Sequence, residues 1–557
     1  MTRSSGSGTV AAGILLSRMS GLVREVLVRG RLDIGVAGDA YATALRLPNL
    51  LQNLLGEGVL SASFIPVYSS LVDEDQRRAA RLANTMAVFL IAVTTPLVIA
   101  GVLAADPLTR ALAFGLTDAR HDLTVDLVRI MTPGIGVLVL SAWSLGVLNS
   151  HRNFLLPYAA PVVWNLTQIG VVVAAGTGLV GRDLAIRVAW AVTAGAVLQF
   201  VIQIPALRRV NPHLGRGVAF RSTEFRDTLR RFGPVVLGRG SAQVSAFVDL
   251  GLATLLATGA LAALGAAQVL HLLPISLFAM SVAAAELPEM SRLSTNTHDL
   301  RLRLSAALEQ IMFFMAFTTV AYVVAGRFIV GAIFSLVPGS RIGQNEVLLI
   351  GLVVAGYSLG LVALGTSRML QNTFYAVGDS ATPARIAGVR YVVSAIVAVV
   401  LMFQMDRLFV YSGSVLGFEQ LLSPLRPLSS AVRNADDLPL RLGALGLALG
   451  ASVGAWVEVT LLRNRLTLVL GTDTVTQGRW RKLVLPTLAA AFVMLVVTPL
   501  SRDLPDLLRA AAVVLPAAVI YLGLAAFQRV EIATTLVGRL RAVTSKSNDS
   551  QPDAEMR

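Results

Sequence analysis

Apolar residues fall in runs of roughly 20 along this chain, divided by short polar links rich in arginine, and about 20 residues is the length at which an apolar helix crosses a bilayer. Such runs lie near residues 8–29, 40–71, 83–105, 126–149, 157–179, 184–206, 229–257, 260–290, 304–326, 346–375, 382–404, 440–462, 482–500 and 507–527. The pattern predicts an all-α integral membrane protein with about 14 transmembrane helices. The first, second, seventh and eighth runs are the least uniform, because Arg, Gly, Pro and Ser interrupt them.

Composition strengthens this reading. Of 557 residues, 55% are hydrophobic and 14% charged, with a mean hydropathy of +0.70; a soluble domain carries about 25% charge. The absence of cysteine excludes disulfides, thiolate chemistry and Cys-based metal sites. A net charge of +14 would suggest nucleic acid in a soluble chain. Here the arginines sit in short links, so the charge reads as positive-inside bias and attraction to anionic membrane lipid, with no nucleic-acid partner. The link between runs six and seven alone holds seven arginines from Arg208 to Arg231. Same-side links are basic and opposite-side links such as "ATGAL" are not, which places both termini in the cytoplasm. The first run has no small-residue cleavage site before Arg18 and is expected to stay as a helix.

The chain also repeats itself. "ILLSRMSGLVREVL" in run one resembles "VVLGRGSAQVSAFV" in run seven, aligning Arg18 with Arg239. Pro48 then pairs with Pro274, Pro66 with Pro288, and the Asn149–Pro157 turn with Asn372–Pro383. Four matches in the same order predict two pseudo-symmetric six-helix lobes, as in transporters with parallel repeats. The expected organisation is an N-lobe at 1–208, a basic cytoplasmic linker at 209–228, a C-lobe at 229–465 with an outer loop at 406–440, a C-terminal helix pair at 466–530, and a cytoplasmic tail at 531–557. The outer loop is expected to be partly ordered, and the terminal "SKSNDSQPDAEMR" disordered.

Charged residues at membrane depth cost about 2.5–3.5 kcal/mol each on insertion scales, so they face a cavity or one another. Run one carries Arg18, Arg24 and Glu25; six residues put the two arginines about 120° apart around a helix, able to border one wide cavity. Run two carries Arg46, Asn49, Asn53 and Glu57, a continuous polar face that starts beside Pro48, which is expected to loosen the helix. Run seven carries Arg239, Gln243 and Asp249. The set predicts a hydrated cavity rich in guanidinium, whose planar fork suits phosphate. The alternative is that pairs such as Arg24–Glu25 or Arg46–Glu57 are ion pairs internal to the bundle.

The segments "SRMSGLVREVLV" and "GDAYATALRLPNLLQNLLGEGVLSASFIPVY", with "LPISLFAMSVAAAELPEMSRLS" and "NTFYAVGDSATP" further on, resemble the MurJ (MviN) family of lipid II flippases, within the multidrug/oligosaccharidyl-lipid/polysaccharide exporter superfamily. The resemblance covers nearly the whole chain. It implies a bacterial inner-membrane protein of two lobes plus a helix pair that forms a lipid-tail groove. It also implies alternating access for a pyrophosphate–sugar headgroup. Arg18, Arg24, Asp39 and Glu57 match the family pattern, the arginines as phosphate-binding or gating groups and Asp39 near the outer end of the second span. Two positions depart: Gln52 and Val269 stand where relatives often carry Arg, with Gln268 and His271 beside the latter. Arg46 and Arg239 are expected to compensate.

His271 is a candidate proton-sensitive residue, or a satisfied polar residue between helices. Some relatives are thought to bind sodium in the second lobe, for which Asp249 and, more weakly, Asp379 are candidates. No set of residues points to covalent or metal catalysis, so no enzyme and no other cofactor is expected, only Na⁺ or H⁺ coupling. The expected substrate is a lipid-linked oligosaccharide, lipid II first. Export of another polyprenyl-linked glycan or amphiphile, or a non-transporting role with the cell-wall synthesis machinery, stand as alternatives. The chain is expected to be a monomer.

Overall fold

The computed structural model describes residues 4–548 apart from Thr177, Leu214, Arg216, Ser294, Thr295, Leu422, Asp436 and 472–479. Helices account for almost all of it. They are α1 (Ser4–Leu32), α2 (Val36–Leu55), α3 (Glu57–Glu74), α4 (Gln76–Leu103), α5 (Ala105–Leu112), α6 (Asp118–Ser150), α7 (Leu155–Ala174), α8 (Gly181–Val201), α9 (Ile204–Val210), α10 (Thr223–Thr254) and α11 (Ala260–Pro274). After a π-helical turn at Ile275–Ala279 come α12 (Met280–Arg292), α13 (Thr297–Ser335), α14 (Gln344–Ser358), α15 (Leu361–Ala376) and α16 (Ala381–Met405). A small hairpin of β1 (Phe409–Tyr411) and β2 (Ser414–Leu416) precedes α17 (Ser430–Arg433), α18 (Gly443–Leu470), α19 (Arg481–Leu500), α20 (Asp506–Phe527) and α21 (Glu531–Asn548). Side-chain caps set several starts: Asp75 accepts from the amides of Arg77 and Arg78, and Ser222 from that of Phe225.

Each of the 14 sequence-predicted spans overlaps one or two α-helices, though the fifth runs past the end of α7 at Ala174 and the twelfth begins before α18 at Gly443. Among the described residues, 11 helices are long and apolar enough to cross a membrane, or 12 if α14 and α15, bent by 41°, form one span. The two expected spans that fall short are α1 and α10. Both are long, at 29 and 32 residues, but arginines and small polar residues dilute their apolar character. The second span is broken rather than continuous. Pro48 sits inside α2 without ending it, and the break falls at Gly56, between α2 and α3. The Gly56 amide bonds the Gln52 carbonyl at 2.8 Å, and a side chain at 56 would run into that same oxygen. The tail also differs from expectation: α21 continues to Asn548, four residues into the segment expected to be disordered, and the rest lies outside the described residues.

By contacts the chain divides into two compact units. The first is Met1–Ala266 with Val337–Gly343 and Arg426–Arg441; the second is Ala267–Leu336 with Gln344–Leu425 and Leu442–Arg557. These units are a different division from the lobes drawn from the repeat, because α10 packs on α2 and α3 and so joins the first. The core of the first unit lies around Phe64, Tyr68, Met86, Leu90 and Trp143. In the second, α16 and α18 approach closely along Gly446, Gly450 and Gly454; a Cβ at Gly450 would stand 2.7 Å from Ala398. Small residues at such spacing are how helices pack where lipid removes the usual hydrophobic drive. The α19–α20 pair packs on α13, with the Tyr521 hydroxyl donating to the Phe313 carbonyl at 2.7 Å.

Candidate functional site: a polar cavity at a broken helix

The break between α2 and α3 opens a polar cavity of about 500 Å³ within the first unit, lined by Asn49, Gln52, Asn53, Glu57, Gly58, Ser61 and Arg239. Asn49 and Asn53 are one helical turn apart at the end of α2, and Glu57 opens α3, so the predicted polar face survives the break. Asn53 Nδ2 donates to Gln243 Oε1 of α10 at 3.2 Å. The Arg239 guanidinium lies flat across Gly58, where any Cβ would collide with it, and its charge attracts the Glu57 carboxylate. A ligand in this cavity meets one cation, one anion, three amides and a hydroxyl. Arg46 sits half-buried on α2, one turn before Asn49, and does not line the cavity.

The α1 residues are organised separately. Glu25 is held between Arg24 and Arg29, accepting from Arg29 Nε at 2.8 Å and from Arg24 Nη2. Arg24 is buried with its guanidinium 4.5 Å from the Trp164 ring, while its Nε and Nη1 have no hydrogen-bond partner. A desolvated contact of this kind is worth about 2 kcal/mol. Arg18 is exposed and has no hydrogen bond or ion pair among the described residues. Neither arginine lines the cavity at the helix break. The expected pair Arg24–Glu25 is present; Glu57 faces Arg239 rather than forming an ion pair with Arg46.

Asp39 is fully buried. It pairs with Arg120 at 3.3 Å and accepts from the amides of Gly259 and Ala262 at 2.9 and 2.8 Å, capping the start of α11. Arg120 also donates to Asn434 Oδ1 at 2.6 Å, so the last part of the outer loop closes over the pair. In the second unit, His271 is buried, stacks on Tyr357 at 4.9 Å between centroids, and has an unpartnered Nδ1; Gln268 Nε2 reaches the Tyr357 hydroxyl at 3.5 Å. Asp249 is exposed on α10. Asp379 accepts from the amides of Ala381 and Thr382 at 3.1 and 2.9 Å and caps α16. Among the described residues no group of three or more His, Asp or Glu side chains could hold a metal.

Sequence reasoning missed several participants. Gly58 and Ser61 carry no signal until the cavity is seen. The buried Glu458 of α18, held by Arg390 at 2.9 Å and Gln371 at 2.8 Å, was visible only as one acid in an apolar run. Arg120 lies in the first turn of the fourth span's helix, and its partners Asp39 and Asn434, 81 and 314 residues away, leave no local signal.

Eleven or twelve membrane-capable helices among the described residues, with an arginine-bearing polar cavity walled by α2, α3 and α10, are the marks of a multi-pass membrane transporter. Two solved structures share the fold: a lipid II flippase MurJ in an inward closed conformation (TM-score 0.72, 20% identity, 93% of this chain and 98% of that one) and an inward-facing multidrug resistance MATE family transporter of the MOP superfamily (0.63, 16%, 83% and 96%). The family model described as lipid II flippase MurJ matches residues 32–418, and the chain belongs to that family. Relatives include the lipid II flippase MurJ of Burkholderia cenocepacia, 29% identical over 388 residues (68% of this chain, 74% of that one). The probable lipid II flippase MurJ of Bdellovibrio bacteriovorus is 29% identical over 408 residues (71% and 76%).

Proposed function

We propose that this protein flips lipid II, carrying its undecaprenyl-pyrophosphate-linked headgroup from the inner to the outer leaflet of the bacterial cytoplasmic membrane by alternating access. The observation that carries the reading, beside family membership, is the polar cavity cut into an apolar bundle at the break of the second span. A headgroup of sugars and peptide meets amides and a hydroxyl there, and the guanidinium of Arg239 offers a fork for a phosphate oxygen. Arg24 and the exposed Arg18 lie outside that cavity and are proposed as phosphate contacts elsewhere on the headgroup's path. The protein moves its substrate without covalent chemistry, acts as a monomer, and keeps both termini in the cytoplasm. The substrate drives closure only through its different affinity for the two end states.

Coupling to Na⁺ or H⁺ is part of the proposal, with Asp249, exposed on α10, the first candidate and Asp379 the weaker one, since it is engaged as a cap. The alternative substrate, another polyprenyl-linked glycan, is favoured by Gln52 in the cavity wall, where an amide suits a sugar hydroxyl. The deciding experiment is rescue of cells depleted of their own lipid II flippase, paired with lipid II translocation in proteoliposomes. Rescue by the native chain and failure of an Arg18→Ala/Arg24→Ala variant are expected. Failure of the native chain in both assays would move the substrate to a different lipid-linked glycan.

A further inference from the structure

The first unit carries a second surface that the cavity does not use. From α9 through the first turns of α10, Arg208, Arg209, Arg221, Arg226, Arg230 and Arg231 are all exposed. None of the six has a carboxylate partner among the described residues. Of the two acids in this stretch, Glu224 is taken by Arg78, leaving Asp227 alone against the six exposed arginines named above.

The same stretch exposes apolar side chains. Val218 is 50% exposed and Phe220 47%, yet their backbone is fixed: Gly215 donates to Asn84 Oδ1 at 2.9 Å and Ala219 to Thr85 Oγ1 at 2.8 Å. At the start of α10, Phe225 and Phe232 face inward and pack on Phe89 at 5.7 and 5.8 Å. The opposite face presents Arg226, Leu229 and Arg230, one helical turn of alternating charge and apolar surface. A hydrogen-bonded segment that holds apolar side chains outward among unpaired guanidiniums matches one kind of partner. An aqueous polyanion would satisfy the arginines and leave Val218, Phe220 and Leu229 in water. An anionic bilayer surface satisfies both, with apolar groups at the acyl boundary and arginines on headgroup phosphates.

We infer that this surface docks anionic phospholipid headgroups of the adjoining leaflet, fixing the end of the first unit against the membrane. The inference stands on the membrane fold and is independent of which lipid is flipped.

The cysteine-free chain makes the test clean, because Val218→Cys carries a single environment-sensitive fluorophore. The labelled full-length protein is placed in nanodiscs of phosphatidylcholine, with and without phosphatidylglycerol. Phosphatidylglycerol is expected to shift the emission to the blue and to allow quenching by brominated acyl chains. Both effects should fade at 1 M salt, where the Debye length is about 3 Å. An Arg226→Gln/Arg230→Gln variant, altered only at exposed positions, should weaken the response about five-fold for each arginine removed. A Leu229→Cys label gives a second reading. Identical emission with and without phosphatidylglycerol, or a shift that survives in the double variant, overturns the proposal. So does a shift that appears only when lipid II is added, which would make the surface a substrate-capture site.

Discussion

Gly58 and Arg239 show how a single missing side chain can shape a site. The guanidinium occupies the space a Cβ would need, so Gly58→Ala must push the tip of Arg239 aside. Position 58 is helical and the nearest obstacle is the flexible end of Arg239, and alanine there removes backbone freedom from the unfolded chain, so stability should hold or rise slightly. Flipping should fall to the level of an Arg239→Gln variant, as read in the rescue assay alongside thermal unfolding. Loss of flipping together with loss of stability would instead mark Gly58 as a packing residue. Asp39 is the opposite case. Its carboxylate is the charged partner of buried Arg120 and accepts two amides at the start of α11. Asp39→Asn keeps the shape and strands the Arg120 charge, which should cost about 3–5 kcal/mol in unfolding measurements. Replacing Asp39 and Arg120 together by leucine should cost much less, because no unpaired charge remains. Sequence reading reached Asp39 through the family pattern but not its partner. An ion pair between residues 81 positions apart leaves no local periodicity to read.

At the scale of elements, the α15–α16 turn carries a pH-dependent cap. The Thr382 hydroxyl and the amides of Thr382 and Ala381 hold the Asp379 carboxyl below the ordinary carboxylate range. A depressed native value means the cap stabilises at neutral pH and loses its contribution on acidification. The loss begins near the unfolded carboxylate value of about 4 and is complete once the native group is protonated. The difference in unfolding temperature between native protein and an Asp379→Asn variant should therefore shrink steadily through acid pH; a constant difference would remove the cap from the account. Helices themselves were plainly legible, since runs of 20 apolar residues have few other solutions in lipid. Their interruptions were not. Pro48 looked like the weak point of the second span, yet α2 continues through it, and the chain breaks at Gly56. The difference lies in packing and in the closeness of a Gln52 carbonyl, neither of which a one-dimensional pattern contains.

At the scale of the molecule, the sequence pattern indicated a multi-pass helical transporter, and the family assignment agrees. The candidate site was half legible. The polar face of the second span, Asn49, Asn53 and Glu57, was readable as a face, and Arg239 followed from the internal repeat. Arg18 and Arg24 were expected at the same cavity, but Arg24 groups with Glu25, Arg29 and Trp164 while Arg18 is exposed, because helical angle alone does not say which neighbour a side chain meets. Gln52, which counted in the sequence as a lost arginine, lies in the cavity wall with Arg239, so a guanidinium is still present there, supplied from α10.

That contact between Gly58 and Arg239 also constrains the order in which descendants of this chain can change. A lineage that acquires a side chain at 58 while 239 is still arginine passes through an intermediate with a displaced guanidinium. One that first shortens 239 meets no such barrier, but gives up the cavity's cation until another position, such as 52, supplies it. The three positions are therefore coupled in their history as well as in their geometry, and the route that replaces Gln52 first is the one open to small steps.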